Sequence, residues 1–408
     1  MIDPQLVRKD YPIYQHNGKL VYLDSTATAL KPQVVIDALD NYYSQYSANV
    51  HRGIYALAEK ATNAYDSARI VTADFLHTSR EKVIFTSGTT DGINLLAYSW
   101  GRTQVTKKDE IVVSIVEHHS NFVPWQQLAL ETGAQLKIVY PDERGIIPFD
   151  DGKFVDTVIS KKTKAVCLYF VSNVLGTINP LKKIIENIKK KNPQIFIFID
   201  GAQAAPTLDI NVETLGCYAF VFSGHKVGGP TGIGVLWVSP RLLDLLPPFR
   251  FGGEMIQEVH IAESIFKSSP EKFEAGTPHI AGAIGLAAAL EYKNKYKSTN
   301  ILNHERKLAT HLINSLNEFP HIKIIGPQNT DNRVGIISFV HDTIHAHDIG
   351  QVCAQMNVCV RVGHHCTMPL HEYYGIPASI RASLYIYNSI EDIDQLVVAI
   401  RKAEKLFL

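Results

Sequence analysis

The chain has 408 residues, which is enough for one large hydrophobic core and a second, smaller domain. Hydrophobic residues make up 46% of it and charged residues 20%, and the 40 basic and 40 acidic residues give a formal net charge of zero. This balance argues against an electrostatic binder of nucleic acids or membrane surfaces. No apolar run is long enough to span a bilayer and the first residues do not form a secretory signal, so a cytoplasmic location is expected.

The first part of the chain alternates between helical patterns and short apolar runs. Helices are predicted over residues 33–47, 56–76, 90–100 and 122–132. Strands are predicted over residues 110–116, 135–140, 165–170, 195–200, 219–223 and 232–238. These strands are apolar on both faces, which is typical of strands covered by helices on both sides. The pattern therefore predicts an α/β fold with a largely parallel sheet.

The pattern changes near residue 291, where the polar stretch EYKNKYKSTN predicts a hinge. Beyond it we predict a helix over 301–318, strands over 334–340 and 358–363, and a final helix that begins near 391. The expected organisation is an N-terminal segment, 1–20, that packs with the small domain, a large domain over 21–292, and a small α+β domain over 293–408.

Two polar residues follow apolar strands at positions where open α/β sheets place ligand clefts. Lys226 stands in SGHKVGGPTG, just past a strand. Most lysines are solvated, but a lysine in such a cleft can form a Schiff base with a carbonyl cofactor when its pKa is depressed. Asp200 ends the strand IFIFID. A buried acid needs a partner, and a pyridinium N–H is suitable, although a helix N-cap is the simpler alternative.

Two further motifs also indicate a ligand cleft. The stretch VIFTSGTTDG is a strand, a small polar turn and a helix start, whose N–H groups can bind a phosphate. It is not a P-loop, because no G-K-[ST] follows. The stretch SIVEHHSN ends a strand at Glu117-His118-His119. Adjacent residues on an extended segment point in opposite directions, so only one imidazole can face the cleft. This argues against a shared metal site and suits one imidazole stacked on a ring.

The cysteine in RVGHHCTMPL, Cys366, allows three interpretations. A metal site would use His364, His365 and perhaps His371, but the spacing matches no structural zinc pattern. A buried structural thiol fits the other cysteines, which lie in apolar runs: Cys167, Cys217, Cys353 and Cys359. It fits Cys366 poorly, because the flanking residues are polar. Arg361 and the two preceding histidines should form an electropositive loop that favours thiolate, so a nucleophile is the preferred interpretation.

Taken together, these motifs resemble the fold-type I, aminotransferase class V pyridoxal-phosphate enzymes. With RVGHHC and RASLYIYN, the chain resembles more specifically the cysteine desulfurases of the SufS type, also called group II. The resemblance runs from YLDSTATALKP and NVHRGIYALA through YFVSNVLGTINP to FEAGTPHIAGAIGL. It implies a large domain with a mostly parallel seven-stranded sheet, a smaller C-terminal domain, and pyridoxal 5′-phosphate as cofactor. One departure is Thr26, which stands where a small alanine is expected.

The resemblance also implies roles for the matching residues. Lys226 would carry the cofactor and move protons at Cα, and His118 would stack on the cofactor ring and help move protons. Asp200 would pair with the ring nitrogen, and Gln203 would bind the phenolic oxygen. The phosphate would be held by Thr90, Ser223 and His225. Thr277 would reach the phosphate of the other subunit, which implies a homodimer. Around the substrate, Arg381 and Asn173 would bind the carboxylate, His51, Arg52 and Arg361 would line the mouth, and Cys366 would be the nucleophile. No metal is implied.

The implied reaction takes L-cysteine to L-alanine and leaves the sulfur on Cys366 as a persulfide for iron–sulfur cluster assembly. A protein of the SufE or SufU type would collect the sulfur, and the short cysteine loop suggests that it brings its own thiol in. The nearest alternative is a selenocysteine lyase or another class V enzyme. A non-catalytic module that binds a metal or a phosphate is the alternative from a different class.

Overall fold

The computed structural model of the protein describes residues 2–408. Its strands are β1 (Val21–Tyr22), β2 (Val83–Thr86), β3 (Glu110–Ser114), β4 (Gln135–Val139), β5 (Thr163–Tyr169), β6 (Phe196–Asp200), β7 (Ala219–Ser223), β8 (Gly234–Val238), β9 (Ile256–Val259), β10 (Ser264–Phe266), β11 (Ile322–Ile325), β12 (Ile336–His341), β13 (Val358–Cys359), β14 (Arg361–Gly363) and β15 (Ser379–Ser383). Its α-helices are α1 (Pro4–Arg8), α2 (Ile13–His16), α3 (Gln33–Gln45), α4 (Ala56–Phe75), α5 (Thr89–Leu96), α6 (Arg102–Gln104), α7 (His119–Thr132), α8 (Gly152–Val158), α9 (Leu181–Lys191), α10 (Val212–Leu215), α11 (Pro240–Leu243), α12 (Ile280–Asn294), α13 (Ser298–Leu316), α14 (Ala346–Gln355), α15 (Met368–Tyr374) and α16 (Ile390–Phe407).

A seven-stranded sheet forms the centre of the larger part of the molecule. Its order is β2-β8-β7-β6-β5-β3-β4, and the only antiparallel pairings are those of β8 with β2 and β7. Alternate residues of one strand enter different cores: Val112 of β3 packs on one face, whereas Ile111 and Val113 pack on the other. This double burial explains why the strands lack polar alternation. The predicted α/β fold with a mostly parallel seven-stranded sheet is confirmed.

A smaller, antiparallel sheet forms the centre of the C-terminal part. Its order is β11-β12-β15-β14, and helices α13, α14 and α16 contribute to the core beside it. The chain also reaches this part from its N-terminal end, because β1 pairs in parallel with β13. Upstream of β1, Arg8 donates a hydrogen bond to the Tyr387 carbonyl oxygen at 2.8 Å and pairs with Asp392. These contacts bring Asp24, which lies two residues past β1, beside Ser383 of β15.

The connection between the two parts differs from the predicted hinge. Helix α12 continues through Glu291 to Asn294, and Lys293 on it is buried, so the polar stretch begins as helix rather than as linker. The helix break is at Lys295–Lys297, where Lys297 adopts a left-handed conformation with φ of 53°. The expected boundary after residue 292 therefore falls inside a helix, and the division into domains stays a prediction. No helix in the described part of the chain combines the length and the apolarity needed to cross a membrane.

Candidate active site

One cavity of about 210 Å³ collects most of the residues singled out in the sequence. It lies where β6 and β7 end and the C-terminal part approaches the large sheet. It is lined by Thr26, Ala27, Thr89, Thr90, His118, Ser120, Asn173, Asp200, Gln203, Ser223, His225, Lys226, Arg361, His365, Cys366 and Arg381. All predicted catalytic residues are among them, as are all predicted cofactor and substrate residues except Thr277, His51 and Arg52. The fold thus brings together residues from eight separated stretches of the chain.

Lys226 and Asp200 both line the cavity, and each is near enough to influence the pKa of the other. Asp200 is the last residue of β6 and is buried, and its Oδ1 accepts a hydrogen bond from the Ala202 N–H at 2.9 Å. Burial raises the pKa of Asp200, and the nearby Lys226 opposes this rise. Burial lowers the pKa of Lys226, while Asp200 acts in the opposite direction. A lysine in this setting has a larger neutral fraction than a solvated one and can act as a nucleophile or base.

The start of α5 forms the part of the cavity that suits a phosphate. Gly88 precedes the helix with a backbone φ of 153°, a conformation that residues other than glycine rarely adopt. The turn packs tightly, since a Cβ on Gly234 would lie 2.5 Å from the Gly88 Cα. The Thr89 N–H donates to Ser223 Oγ at 2.8 Å, which joins the helix start to the end of β7. Thr90 Oγ1 lies 2.7 Å from Ser120 Oγ. The hydroxyls and helix N–H groups together make an anion site.

His118 faces the cavity, and its neighbour His119 does not. The His118 Nδ1 accepts the Ser120 N–H at 3.1 Å, so the imidazole caps α7. This cap explains why α7 begins three residues before the predicted start. Burial lowers the pKa of His118 to about 3, and the positive charge of Lys226 adds to the effect. His118 is therefore neutral at physiological pH, and its orientation is fixed through Nδ1. The inference that only one of the two imidazoles faces the cleft is confirmed.

A pair of arginines from the small sheet also lines the cavity. Arg361 of β14 and Arg381 of β15 are direct cross-strand neighbours, so their side chains lie on the same face of the small sheet. Asp24 lies between them, with Oδ1 3.3 Å from Arg381 Nη2 and Oδ2 3.9 Å from Arg361 Nη1. Burial lowers the pKa of Arg381 to about 10, and the Asp24 carboxylate opposes this. The Arg381 Nε is buried without a hydrogen-bond partner among residues 2–408, so it can donate to an added carboxylate.

Cys366 is exposed and lines the same cavity as Lys226. It is the second of two consecutive residues in the left-handed region, with φ of 53° at His365 and 57° at Cys366. His365 is buried, its Nε2 lies 2.9 Å from Ser379 Oγ, and burial lowers its pKa to about 2. The expectation that both preceding histidines make this loop electropositive is therefore wrong for His365, which is neutral. Among the described residues no group of three or more His, Cys, Asp or Glu side chains is arranged to hold a metal ion.

Three predicted residues lie outside the cavity of a single chain. Thr277 is exposed in a separate groove. The His51 Nε2 lies 3.7 Å from Asp66 Oδ1, and the Arg52 Nε lies 3.2 Å from Glu254 Oε1. Within one chain these side chains do not line this cavity, and their predicted roles stay predictions.

Sequence reasoning missed two residues that position the site: Asp24 and Ser120. Asp24 stands inside a longer motif, and a carboxylate two residues past a two-residue strand gives no signal of its own. Its role depends on the pairing of β1 with β13, which joins the two ends of the chain. Thr26, noted as a departure, uses its carbonyl oxygen to accept the Gln203 Nε2 hydrogen bond at 3.0 Å. Its contact with Gln203 is thus through the backbone, which any residue can make.

Pyridoxal phosphate fits the groups that line this cavity. Asp200 is a buried carboxylate that forms no ion pair in the described part of the chain, and a protonated ring nitrogen would supply the missing positive partner. The helix start at Thr89 and the Ser223 hydroxyl suit the phosphate, and Lys226 suits the carbonyl. The unpartnered Arg381 Nε remains for a carboxylate of an amino-acid substrate. A mostly parallel α/β sheet with this donor set defines a pyridoxal-phosphate enzyme of fold type I.

Comparisons with known proteins agree with this class. Residues 21–396 match the profile of the Aminotransferase class-V family. A probable cysteine desulfurase from Halalkalibacterium halodurans is 45% identical over 405 residues, which are 98% of each chain. The structure of a cysteine desulfurase from Thermococcus onnurineus NA1 is similar with a TM-score of 0.92 at 35% identity, covering 100% of this chain and 98% of that one. The cysteine desulfurase CsdA from Escherichia coli gives a TM-score of 0.91 at 34% identity, with 100% of both chains covered. The chain belongs to the aminotransferase class V family.

Proposed function

We propose that this protein is a pyridoxal-phosphate-dependent cysteine desulfurase that converts L-cysteine to L-alanine and keeps the sulfur as a persulfide on Cys366. One observation carries the proposal: the cavity that holds Lys226 and Asp200 is also lined by an exposed cysteine. An aminotransferase needs such a lysine but has no use for a thiol. Relatives that match nearly the whole chain and are named cysteine desulfurases support the same reaction.

Substrate binding is assigned to the arginine pair. The buried Arg381 receives the α-carboxylate through its free Nε, while Asp24 keeps the guanidinium in place. Bound pyridoxal phosphate withdraws electrons from the substrate Cα and makes its proton acidic. Lys226, whose pKa is lowered by burial, takes this proton, and the Asp200 carboxylate keeps positive charge at the ring nitrogen. His118, neutral and fixed through Nδ1, is placed to pass a proton through Nε2.

Sulfur transfer is assigned to Cys366. Its thiolate attacks the substrate sulfur, so that an S–S bond forms and the Cβ–S bond breaks. The electron pair of the broken bond goes to the carbon skeleton, which takes up a proton at Cβ, regains from Lys226 the proton removed at Cα, and becomes alanine. The two sulfur atoms are oxidised to the persulfide level while Cβ is reduced to a methyl group, so no external oxidant is needed. The products are L-alanine and the Cys366 persulfide.

The persulfide must leave the enzyme for a second turnover. We assign this step to a SufE-type or SufU-type acceptor protein, whose thiolate attacks the outer sulfur by thiol exchange. The exposure of Cys366 at the cavity wall supports access by such a partner. Iron–sulfur cluster assembly in the cytoplasm is the process we assign to the sulfur, and the group II, SufS-type subclass fits the short span between Cys366 and Arg381.

The test of this proposal is alanine release from L-cysteine. Purified protein loaded with pyridoxal phosphate should form about one alanine per subunit without a reducing thiol and many with dithiothreitol, because the persulfide must be removed for turnover. Parallel assays with L-selenocysteine distinguish the selenocysteine-lyase alternative. Turnover of L-selenocysteine in the absence of any alanine from L-cysteine would replace the proposed function with that alternative.

We further infer that the enzyme is a homodimer in which each subunit contributes Thr277 to the phosphate site of the other. Thr277, His51 and Arg52 are exposed and lie outside the cavity of their own chain, which supports a role across a subunit interface. Sedimentation should give a dimer, and Thr277→Ala should bind pyridoxal phosphate more weakly by about tenfold to a hundredfold, the value of one hydrogen bond to a charged group. A fully active monomer would contradict this inference.

A further inference from the structure

We propose that His119 is a positioning residue that holds the Cys366 loop in the conformation needed for sulfur transfer. The proposal rests on the proposed desulfurase function and extends it to a residue outside the cavity. In the sequence, His119 is merely the imidazole that cannot face the cleft together with His118. In the structure, it contacts the Cys366 loop at two points, and both contacts involve the loop backbone.

The two contacts join the starts of two helices. His119 is the first residue of α7, and its N–H donates to the Cys366 carbonyl oxygen at 2.7 Å. Its Nε2 accepts the N–H of Met368, the first residue of α15, at 3.1 Å. Thr367 occupies the cap position of α15 but makes no side-chain capping bond within the described chain. The histidine of another helix therefore supplies the cap that this helix lacks locally.

The loop needs such support because its backbone is unfavourable in isolation. His365 and Cys366 are consecutive non-glycine residues at φ of 53° and 57°. This conformation persists only where the surroundings impose it. Asn173 fixes the residues on either side of Cys366: its Nδ2 donates to the His365 carbonyl oxygen at 2.7 Å, and its Oδ1 accepts the Thr367 hydroxyl at 3.2 Å. His119 contacts Cys366 itself and Met368. Asn173 and His119 therefore hold alternate residues of the loop.

The contact also sets the form of the imidazole. An Nε2 that accepts an N–H must be unprotonated, so His119 has to be neutral with its proton on Nδ1. Burial and the neighbouring His364 lower the pKa of His119, which agrees with this form. The paired histidines thus have separate tasks: His118 serves the cavity and His119 serves the loop that brings the thiol to it.

Two variants of His119 test the proposal. His119→Leu fills a similar volume but cannot accept the Met368 N–H, whereas in His119→Gln the side-chain oxygen can replace Nε2. In holoenzyme His119→Leu, alanine and persulfide formed in a single turnover should slow about tenfold, which corresponds to the loss of one hydrogen bond. Exchange of the Cα hydrogen of L-cysteine with solvent deuterium should stay near the wild-type rate, since it needs no thiol. His119→Gln should recover most of the lost rate.

A second readout and a control separate positioning from general stability. Backbone hydrogen exchange in the peptide that contains Met368 should be faster in His119→Leu than in wild type and near normal in His119→Gln. His345→Leu is the matched control, because it also removes a histidine-to-backbone bond, from His345 Nδ1 to the His347 N–H at 3.3 Å, at the start of α14. His345→Leu should change neither the rate of alanine formation nor the hydrogen exchange of the peptide that contains Met368.

The possible failures are distinguishable. Wild-type alanine formation in His119→Leu, an equal defect in His119→Gln, or an equal loss of Cα exchange and alanine formation would each overturn the positioning role. If the wild-type enzyme releases no alanine from L-cysteine, the proposed function fails. In that case, unchanged hydrogen exchange around Met368 in His119→Leu would also show that His119 does not hold the Cys366 loop. Faster exchange in this variant would keep His119 as a structural support of the loop without the desulfurase role.

Discussion

Lys226→Ala should abolish alanine release from L-cysteine. The Nζ of Lys226 is the only lysine amine on the cavity wall described here, and burial lowers its pKa toward the range of a useful base. In the proposed mechanism, its loss would remove both the covalent attachment of the cofactor and the group that takes the Cα proton. The rate should fall by at least about three orders of magnitude, since general acid–base catalysis alone contributes on the order of 10²–10⁴-fold. The measurements are alanine release and the visible absorption of the bound cofactor.

Lys293 provides a matched control for this variant. It is also buried, and burial lowers its pKa to about 8, but it lies on α12 away from the cavity and donates to Ser298 Oγ at 2.8 Å. Lys293→Met should lower the midpoint of thermal unfolding yet keep the visible absorption and alanine release. Multiple turnovers by Lys226→Ala at the wild-type rate would remove Lys226 from the mechanism. Loss of the visible absorption in Lys293→Met as well would show that any buried lysine has this effect.

The large sheet was predictable because strands that are buried on both faces are apolar at nearly every position, which is visible in the sequence. The residues of β3 are apolar at every position between Glu110 and Ser114, and the structure packs them alternately into two cores. The order of the strands in the sheet cannot be inferred from their sequences in this way. Nothing in GVLWV distinguishes β8, which runs antiparallel to its neighbours, from the parallel strands around it. The exposed hairpin of β9 and β10 was also not predicted, since neither strand is buried on a continuous face.

The candidate site was predictable where a residue type and its position in an element carried the chemistry. Lys226 and Asp200 follow apolar strands, and Cys366 stands in a polar loop, so local sequence was enough to select them. Residues that act through tertiary contacts were missed. Asp24 acquires its role when β1 pairs with β13, and His119 acquires its role when α7 meets α15. Both contacts join parts of the chain that are hundreds of residues apart, and their geometry has no local signature.

The polar residues around Cys366 correctly indicated that the thiol is exposed, but they did not correctly indicate the charge of the loop. The sequence places two histidines before the cysteine, and both were expected to add positive potential. The structure buries His365 against Ser379 and lowers its pKa to about 2, so its contribution is steric and hydrogen-bonding. The cationic groups that line the same cavity as the thiol include Arg361 and Arg381 on β14 and β15. Strand register places these arginines side by side, so they bring to the cavity the positive charge that the neutral His365 does not supply.

Cys366→Ala should separate the two halves of the proposed reaction. Lys226, Asp200 and Arg381 remain in the cavity, so the variant should bind L-cysteine, change its visible spectrum on binding, and exchange the Cα hydrogen with solvent deuterium. It cannot accept sulfur, because the other cavity-lining groups carry oxygen or nitrogen but no thiol. Alanine formation should therefore fall to background, and no persulfide should be detected by mass spectrometry.

Cys359→Ala is the matched control for this last variant. Cys359 is half-buried on β13 and does not line the cavity, although it lies only two residues before Arg361. Its replacement should leave both deuterium exchange and alanine formation intact. A structural role for Cys366 predicts instead a lower unfolding temperature with activity kept. Both rates measured on the same preparations decide between the roles: alanine formation that survives in Cys366→Ala excludes the thiol from the reaction, whereas exchange without alanine assigns Cys366 to the step that breaks the Cβ–S bond.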